Sequence, residues 1–299
     1  MDTRLLRTFV TLARAGSFTA AAAELHLAQS TVTVQIRSLE RELDTRLFDR
    51  LPGGTTPTRS GRRLLEEAER MLDAEARLRA VAAAGSGEGA DGAVEGQVAL
   101  GAGESLCSSH VPRVIASLRG THPGVDVHLH AAGTAAAVEG LSSGRLDLAL
   151  LLEPEVEAAD LVARPIAHEP LVYVAAPGHR LAGRAAGWTE LAEESFFVHE
   201  EGCSYSDRLV SALRALPDAR PRLTRFGSIE AARSCVAAGL GLTLLPRATV
   251  ERQLRDGLLA VVDGPAMPPV PVQLTRHRKR WTSPAARLVA EELTRLIGG

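Results

Sequence analysis

Residues 17–39, SFTAAAAELHLAQSTVTVQIRSL, constrain this chain more than any other stretch. An alanine-rich segment, Phe18 to Leu25, meets a break at His26-Leu27-Ala28; a second segment, Gln29 to Leu39, then sets Val32, Ile36 and Leu39 at helical spacing. Phe18, Ala21, Ala22 and Leu25 share one helix face, and the small alanines allow close packing. Ser17 is placed to cap the first helix. Upstream, Leu5, Leu6, Phe9, Val10 and Leu12 form another amphipathic segment, so three helices can share one small core. Two short helices joined by a tight turn predict a helix-turn-helix, whose second helix lies in the DNA major groove. Its exposed face would hold Gln29, Ser30, Thr31, Thr33, Gln35 and Arg37, side chains that read base edges and grip phosphates. Taken alone, the motif also fits a polar-faced helical bundle.

The residues after Leu39 favour the DNA reading. Leu47-Phe48 starts a short apolar strand, Pro52-Gly53-Gly54 is a turn signal, and Thr55-Thr56 is β-prone. The expected hairpin forms a wing, with Arg46, Arg50 and Arg59 nearby to touch the backbone or minor groove. Thr58 or Ser60 then caps a new helix. The charge is unevenly spread: residues 1–63 hold ten arginines against six acids, while the chain as a whole has a formal net charge of −2. Positive charge therefore sits with the helix-turn-helix.

The stretches LLRTFVTLARAGSFTAAAAELHLAQSTVTVQIRSLERELDTRLFDR and PTRSGRRLL resemble the LysR-type transcriptional regulators, without a gap through about the first sixty residues. The resemblance implies a winged helix-turn-helix, a long dimerisation helix and a carboxy-terminal effector-binding domain. Three positions depart from the usual pattern. Ala28 stands where Ser or Thr is usual, and Thr33 and Val34 stand where Ser and Arg are common. The cap of the recognition helix is then weaker or moves to a neighbour, and base preference and one phosphate contact are left open.

From Thr58 to Ala84, Leu64, Ala68, Met71, Leu78 and Ala82 recur at three- and four-residue steps, interrupted by Glu75. The stripe is coiled-coil-like. Either the helix packs on its own domain or a second copy covers the stripe, and its place between two domains favours a homodimer reading two half-sites. Residues 85–96, GSGEGADGAVEG, read as a hinge. Beyond Gln97 strands and helices alternate: a strand at Val98, a helix from Glu104 to Leu118, a strand from Val125 to His130, a helix at Glu139–Ser143 and an apolar strand from Leu146 to Leu152. The alternation predicts an α/β domain with a mainly parallel sheet, whose ligands sit at strand carboxyl ends near helix amino-termini.

The resemblance continues more loosely through RLDLALL, EPLVYVAAPGHRLAG and SIEAARSCVAAGLGLTLLPR. The implied fold is an α+β multidomain chain, its last part a two-lobed α/β domain similar to periplasmic binding proteins. It divides as winged helix-turn-helix 1–57, dimerisation helix 58–84, hinge 85–96, lobe one 97–166 with 270–299, and lobe two 167–269. The two crossings, near Arg164–Pro170 and Pro265–Pro271, are proline-rich, which suits extended strands. By likeness four loops converge on an effector: Ser105 at a helix start, where backbone N–H groups and a hydroxyl can take a small carboxylate; Gly133 and Thr134; Gly202, Cys203, Ser204 and Tyr205 before a helix at Asp207–Leu216; and Phe226 and Ser228 before another. Capping or packing is the plainer role for each, above all for Phe226.

Cys203 allows a second reading, since some relatives sense peroxide through a cysteine at a similar place. Here the next cysteine, Cys235, lies 32 residues on, which favours a cleft-lining thiol. With Cys107 the three cysteines give no metal spacing and no disulfide framework, and scattered histidines, His26, His128 and His130 among them, complete no metal set. No nucleophile elbow, phosphate loop or paired catalytic carboxylates stand in context, so neither enzyme nor cofactor is expected. The basic run at 276–280 reads as a solvated turn or an oligomer contact. No signal-peptide pattern or membrane-length apolar run is seen, so a cytoplasmic protein is expected. The expected partners are double-stranded DNA, a small-molecule effector and further copies of the chain, a dimer and by likeness a tetramer. A small-molecule binding protein with a vestigial DNA-binding region is the rival, against which Gln29, Thr31 and Arg37 on one face argue.

Overall fold

A computed structural model describes residues 2–51, 54–85, 94–199, 202–217 and 220–298, with backbone alone at 50, 51, 73, 76, 77 and 79–85. The chain forms two compact units, Met1–Gly92 and Ala93–Gly299.

The first unit runs α1 (Thr3–Ala15), α2 (Phe18–Glu24), α3 (Gln29–Glu42), a hairpin of β1 (Phe48–Leu51) and β2 (Gly54–Pro57), and α4 (Arg59–Gly85). Its core is the set the apolar spacing singles out: Leu6, Phe9 and Leu12 from α1, Ala21 and Ala22 from α2, and Val32, Ile36 and Leu39 from α3, joined by Leu47 and Phe48. Each fully buried Leu, Ile or Phe there contributes about 1.5–3 kcal/mol. Phe9 and Phe48 meet edge to face at 5.5 Å, which seats the hairpin on α1. Asp2 caps α1 by accepting the Arg4 N–H at 2.9 Å. Gly16 ends it in the left-handed region, φ 61°, returning its N–H to Leu12 O. Ser17 holds the N-cap position of α2 in extended backbone, but its side chain makes no capping bond, so the expected cap does not form. Thr58, rather than Ser60, caps α4: its Oγ1 accepts the Gly61 N–H at 3.0 Å and donates to Arg46 O at 2.8 Å. Pro52 and Gly53, part of the predicted turn, lie outside the described residues, as does 86–93 of the predicted hinge.

In the second unit a five-stranded sheet has the order β4-β3-β5-β12-β6, where β3 is Gly96–Ala102, β4 Val125–Ala131, β5 Leu148–Leu152, β6 Leu161–Glu169 and β12 Val270–His277. The apolar run at Leu148–Leu152 is unbroken because both faces are covered: Leu148 and Leu150 face one core, Ala149 and Leu151 another. The predicted helix from Glu104 is two: α5 (Glu104–Ser109) and α6 (Val111–Thr121), parted at His110. Pro112, in the first turn of α6, has no N–H to continue the ladder from α5. From Thr134 to Ser143 runs α7, longer than the predicted segment.

A second sheet has the order β10-β7-β11, with β7 Leu171–Ala175, β10 Thr243–Pro246 and β11 Ala260–Val262; beside it β8 (Ser195–His199) pairs in parallel with β9 (Arg222–Phe226). Around them pack α8 (Trp188–Ala192), α9 (Ser204–Arg214), α10 (Ile229–Ala237) and α11 (Arg247–Arg255), while α12 (Pro284–Ile297) closes the first core. The five-stranded sheet is mixed and the β10-β7-β11 sheet antiparallel, rather than mainly parallel as expected. The chain leaves the first sheet along β6 and returns along β12, and an out-and-back pair of neighbours must run antiparallel, as their register from Val270↔Glu169 to His277↔Leu161 shows.

Candidate nucleic-acid interface and binding cleft

The angle at which each residue leaves α3 decides what it can touch. Val32, Ile36 and Leu39 point inward and are fully or nearly fully buried. Opposite them, Gln29, Ser30, Val34 and Arg37 are exposed, Val34 at 60%, and Thr31 is half-buried at the edge of this face. Gln35 is the exception among the predicted readers. It leaves the helix beside the core and accepts the Thr8 hydroxyl at 2.5 Å, so it ties α3 to α1. Thr33 returns its hydroxyl to Gln29 O at 3.0 Å, which commits its one donor and leaves the oxygen's acceptor capacity and the methyl group for a partner outside the helix. Ala28 is the N-cap and makes no side-chain capping bond. Sequence reasoning passed over Val34 as a contact, although its position on the polar face marks it: an exposed apolar group can meet a thymine methyl.

Glu40, also unremarked in the sequence, joins α3 to the hairpin by accepting the backbone N–H of Leu47 at 2.8 Å. Arg59 is exposed at the start of α4. Arg50 lies in β1, and its side chain is outside the described residues. Along α4 the predicted stripe divides. Ala68 is buried and Leu64 and Leu72 pack on the α1–α3 core, so this part covers its own domain. Met71 and Leu78, one heptad apart, are 42% and 72% exposed. Glu75, which breaks the stripe, pairs with Arg7 of α1 at 3.3 Å. The side chain of Ala82 is outside the described residues.

In the second unit a cavity of about 840 Å³ lies where the ends of β3, β4, β5 and β8 meet the starts of α5, α7 and α9. Of the predicted positions, Ser105, Gly133, Thr134, Gly202, Cys203 and Tyr205 line it. Ser204, Phe226 and Ser228 do not. Ser204 donates to Leu152 O at 3.0 Å, Phe226 packs edge to face on Phe197 at 5.5 Å, and Ser228 caps α10. Gly227, between the last two, reaches the cavity instead.

The charged lining was missed. Glu153, one residue past β5, is only 9% exposed and lines the cavity. Thr134 Oγ1 donates to its Oε1 at 2.6 Å, and Gln273 Nε2 of β12 holds the backbone behind it, donating to Glu153 O at 3.3 Å and Pro154 O at 3.1 Å. Burial raises the Glu153 pKa, against the opposing hydroxyls of Thr134 and Ser204. Glu104 Oε2 accepts the Ile229 N–H at 2.9 Å, Oε1 accepts the Ser228 hydroxyl at 3.3 Å, and His199 Nε2 stands 4.0 Å away. This carboxylate thus sits on the amino-terminus of α10. Burial pushes the Cys203 thiol up to about 11 and the Tyr205 hydroxyl well above its usual range. Among the described residues no cluster of His, Cys, Asp or Glu is arranged to hold a metal ion, and no helix is long and apolar enough to cross a membrane.

Comparison with known proteins places both parts of the chain. Residues 3–62 match the model for bacterial regulatory helix-turn-helix proteins of the lysR family, and residues 91–297 match the LysR substrate binding domain. The chain is 34% identical over 265 residues to the HTH-type transcriptional regulator CfxR of Cupriavidus necator, covering 87% of this chain and 80% of that protein. It is 31% identical over 257 residues to the HTH-type transcriptional regulator GltR of Bacillus subtilis, covering 86% and 83%. Among solved structures, a full-length OxyR variant from Pseudomonas aeruginosa superposes with a TM-score of 0.74 at 25% identity, covering 99% of this chain and 94% of that one.

Proposed function

This chain belongs to the LysR family of DNA-binding bacterial transcriptional regulators, and from that premise we propose which residues do the work. Gln29, Ser30, Thr31 and Val34 meet base edges in the major groove, Arg37 and Arg59 meet phosphates, and the β1–β2 hairpin with Arg50 lies along the backbone. The observation that carries this reading is the outward face of α3, polar except for Val34 and set directly opposite the buried Val32, Ile36 and Leu39.

The domain division obeys the same logic: 1–57 binds DNA, α4 pairs two copies through Met71 and Leu78, and the remainder forms two lobes around the cavity, 97–166 with 270–299 and 167–269. Two such dimers make a tetramer on DNA. A small molecule in the cavity, held by Ser105, Thr134, Glu153 and the 202–205 loop, shifts the oligomer between DNA-bound geometries by fitting one better than the other. The protein acts in the cytoplasm as a binding protein, not an enzyme. A thiol switch at Cys203 is the weaker reading: a thiol pushed up to about 11 is scarcely ionised near neutrality, and the thiolate is the form that reacts with peroxide.

Selection of duplexes from a random library by the full chain tests the reading. An interrupted inverted repeat, lost with Gln29→Ala, is the expected product; a pool with no preferred sequence would fit the rival of a small-molecule binder without a DNA role.

A further inference from the structure

We propose that the small molecule taken by this cleft is an aliphatic compound carrying a protonated nitrogen, and that Glu153 is its seat. The inference rests on the reading of the cavity as the effector site and departs from the small carboxylate expected on Ser105.

The charges decide it. Among the described residues lining the cavity the carboxylates are Glu104 and Glu153, neither Lys nor Arg is present, and the basic side chain there, His199, stands 4.0 Å from Glu104. The nearby Arg225 of β9 is directed to Asp207 at 3.3 Å and His199 O at 2.9 Å.

Helix amino-termini would ordinarily favour an anion. Here the chain's own acids already stand beside them, Glu104 in the first turn of α5 among them. Glu104 takes the Ile229 N–H at α10. Asp207, in the first turn of α9, accepts the Gly202 N–H at 2.8 Å. The Thr134 hydroxyl, at the start of α7, goes to Glu153. An entering carboxylate would meet these acids; an entering ammonium would pair with the most buried of them.

Glu153 also lacks a structural reason to be ionisable. It is nine-tenths buried, with the hydroxyls of Thr134 and Ser204 beside it and, among the described residues, no Lys or Arg paired with it. Burial raises its pKa, so the unliganded site holds a poorly solvated carboxyl group that a bound cation would stabilise in its charged form. Apart from Tyr205, the apolar lining is the aliphatic Ala131, Ala132, Ala135, Ala136, Leu151 and Leu152, which suits an alkyl body.

Thermal unfolding of the full chain tests the proposal with two matched panels, one of aliphatic amines (putrescine, cadaverine, agmatine, L-ornithine, L-lysine, L-arginine) and one of acids (succinate, glutarate, adipate). The expected result is a rise in melting temperature with one or more amines and none with the acids. For the best amine, affinity by calorimetry should fall at least tenfold in Glu153→Gln, and fall likewise in Ala136→Phe, which fills the cavity. A rise with acids alone, abolished by Ala136→Phe, would leave the cleft as the effector site and overturn its cation preference. Amine binding untouched by Ala136→Phe would overturn the cleft reading itself, and silence across both panels would overturn the proposal.

Discussion

Thr134 Oγ1 donates to Glu153 Oε1 across 2.6 Å, joining the first turn of α7 to the residue just past β5. The hydroxyl supports a carboxylate that burial disfavours, and burial is the larger effect. The folded chain therefore holds the Glu153 proton more tightly than the unfolded chain does. Stability is lost as pH rises from the ordinary carboxylate pKa of about 4.3 through the raised folded value, and the loss persists at neutral pH. Glu153→Gln should raise the melting temperature of the unliganded protein at pH 7.5, with the gain shrinking toward pH 4. A loss of stability, or a gain that does not vary with pH, would contradict this account of Glu153.

Ala28 leaves the amino-terminus of α3 without a side-chain cap, although its backbone already has the extended geometry of a capping residue. Ala28→Ser should stabilise the DNA-binding unit by about 1 kcal/mol, read from chemical denaturation monitored by circular dichroism. No change would mean that the first turn is satisfied in another way.

Gly61 faces the opposite demand. Helix propensity alone would favour alanine by about 1 kcal/mol. A Cβ at this position, however, would collide with the carbonyl oxygen of Leu47 and press on the Pro57 ring at 3.3 Å. Overpacking against backbone costs about 1–3 kcal/mol, so Gly61→Ala should be net destabilising in the same assay.

Met71 and Leu78 are exposed one heptad apart on α4, Met71 on the outer side of the part that packs on the α1–α3 core and Leu78 beyond it. Leu78→Glu should shift the full chain toward a smaller assembly in sedimentation velocity at matched concentration, with its helix content kept. An unchanged sedimentation coefficient would place the pairing surface elsewhere.

The sequence made the first unit legible because its core repeats at helical spacing and its turns carry their own signals. What it hid depends on angle and distance. Gln35 is polar and two residues from Thr33, yet it leaves α3 beside Ile36 and Leu39 and bonds Thr8; a helical wheel drawn at 100° per residue would have shown it. Glu153 reads as the ordinary polar end of a strand before Pro154. Its burial comes from α7, α9 and the distant Gln273 of β12, and no local pattern encodes that meeting. Phe226 suggested a cleft wall, but its ring found Phe197, 29 positions earlier in the chain.

Whether α3 reads DNA sequence is decided by fluorescence anisotropy. The full chain is titrated onto its selected duplex and onto a scrambled duplex of equal length over a range of salt. Binding to the selected duplex should be at least about 10³-fold tighter. Gln29→Ala should cost about 1–3 kcal/mol on that duplex alone, while Arg37→Ala should weaken both and lower the salt slope by about 1. Equal affinity for the two duplexes, with Gln29→Ala reducing both alike, would contradict the account.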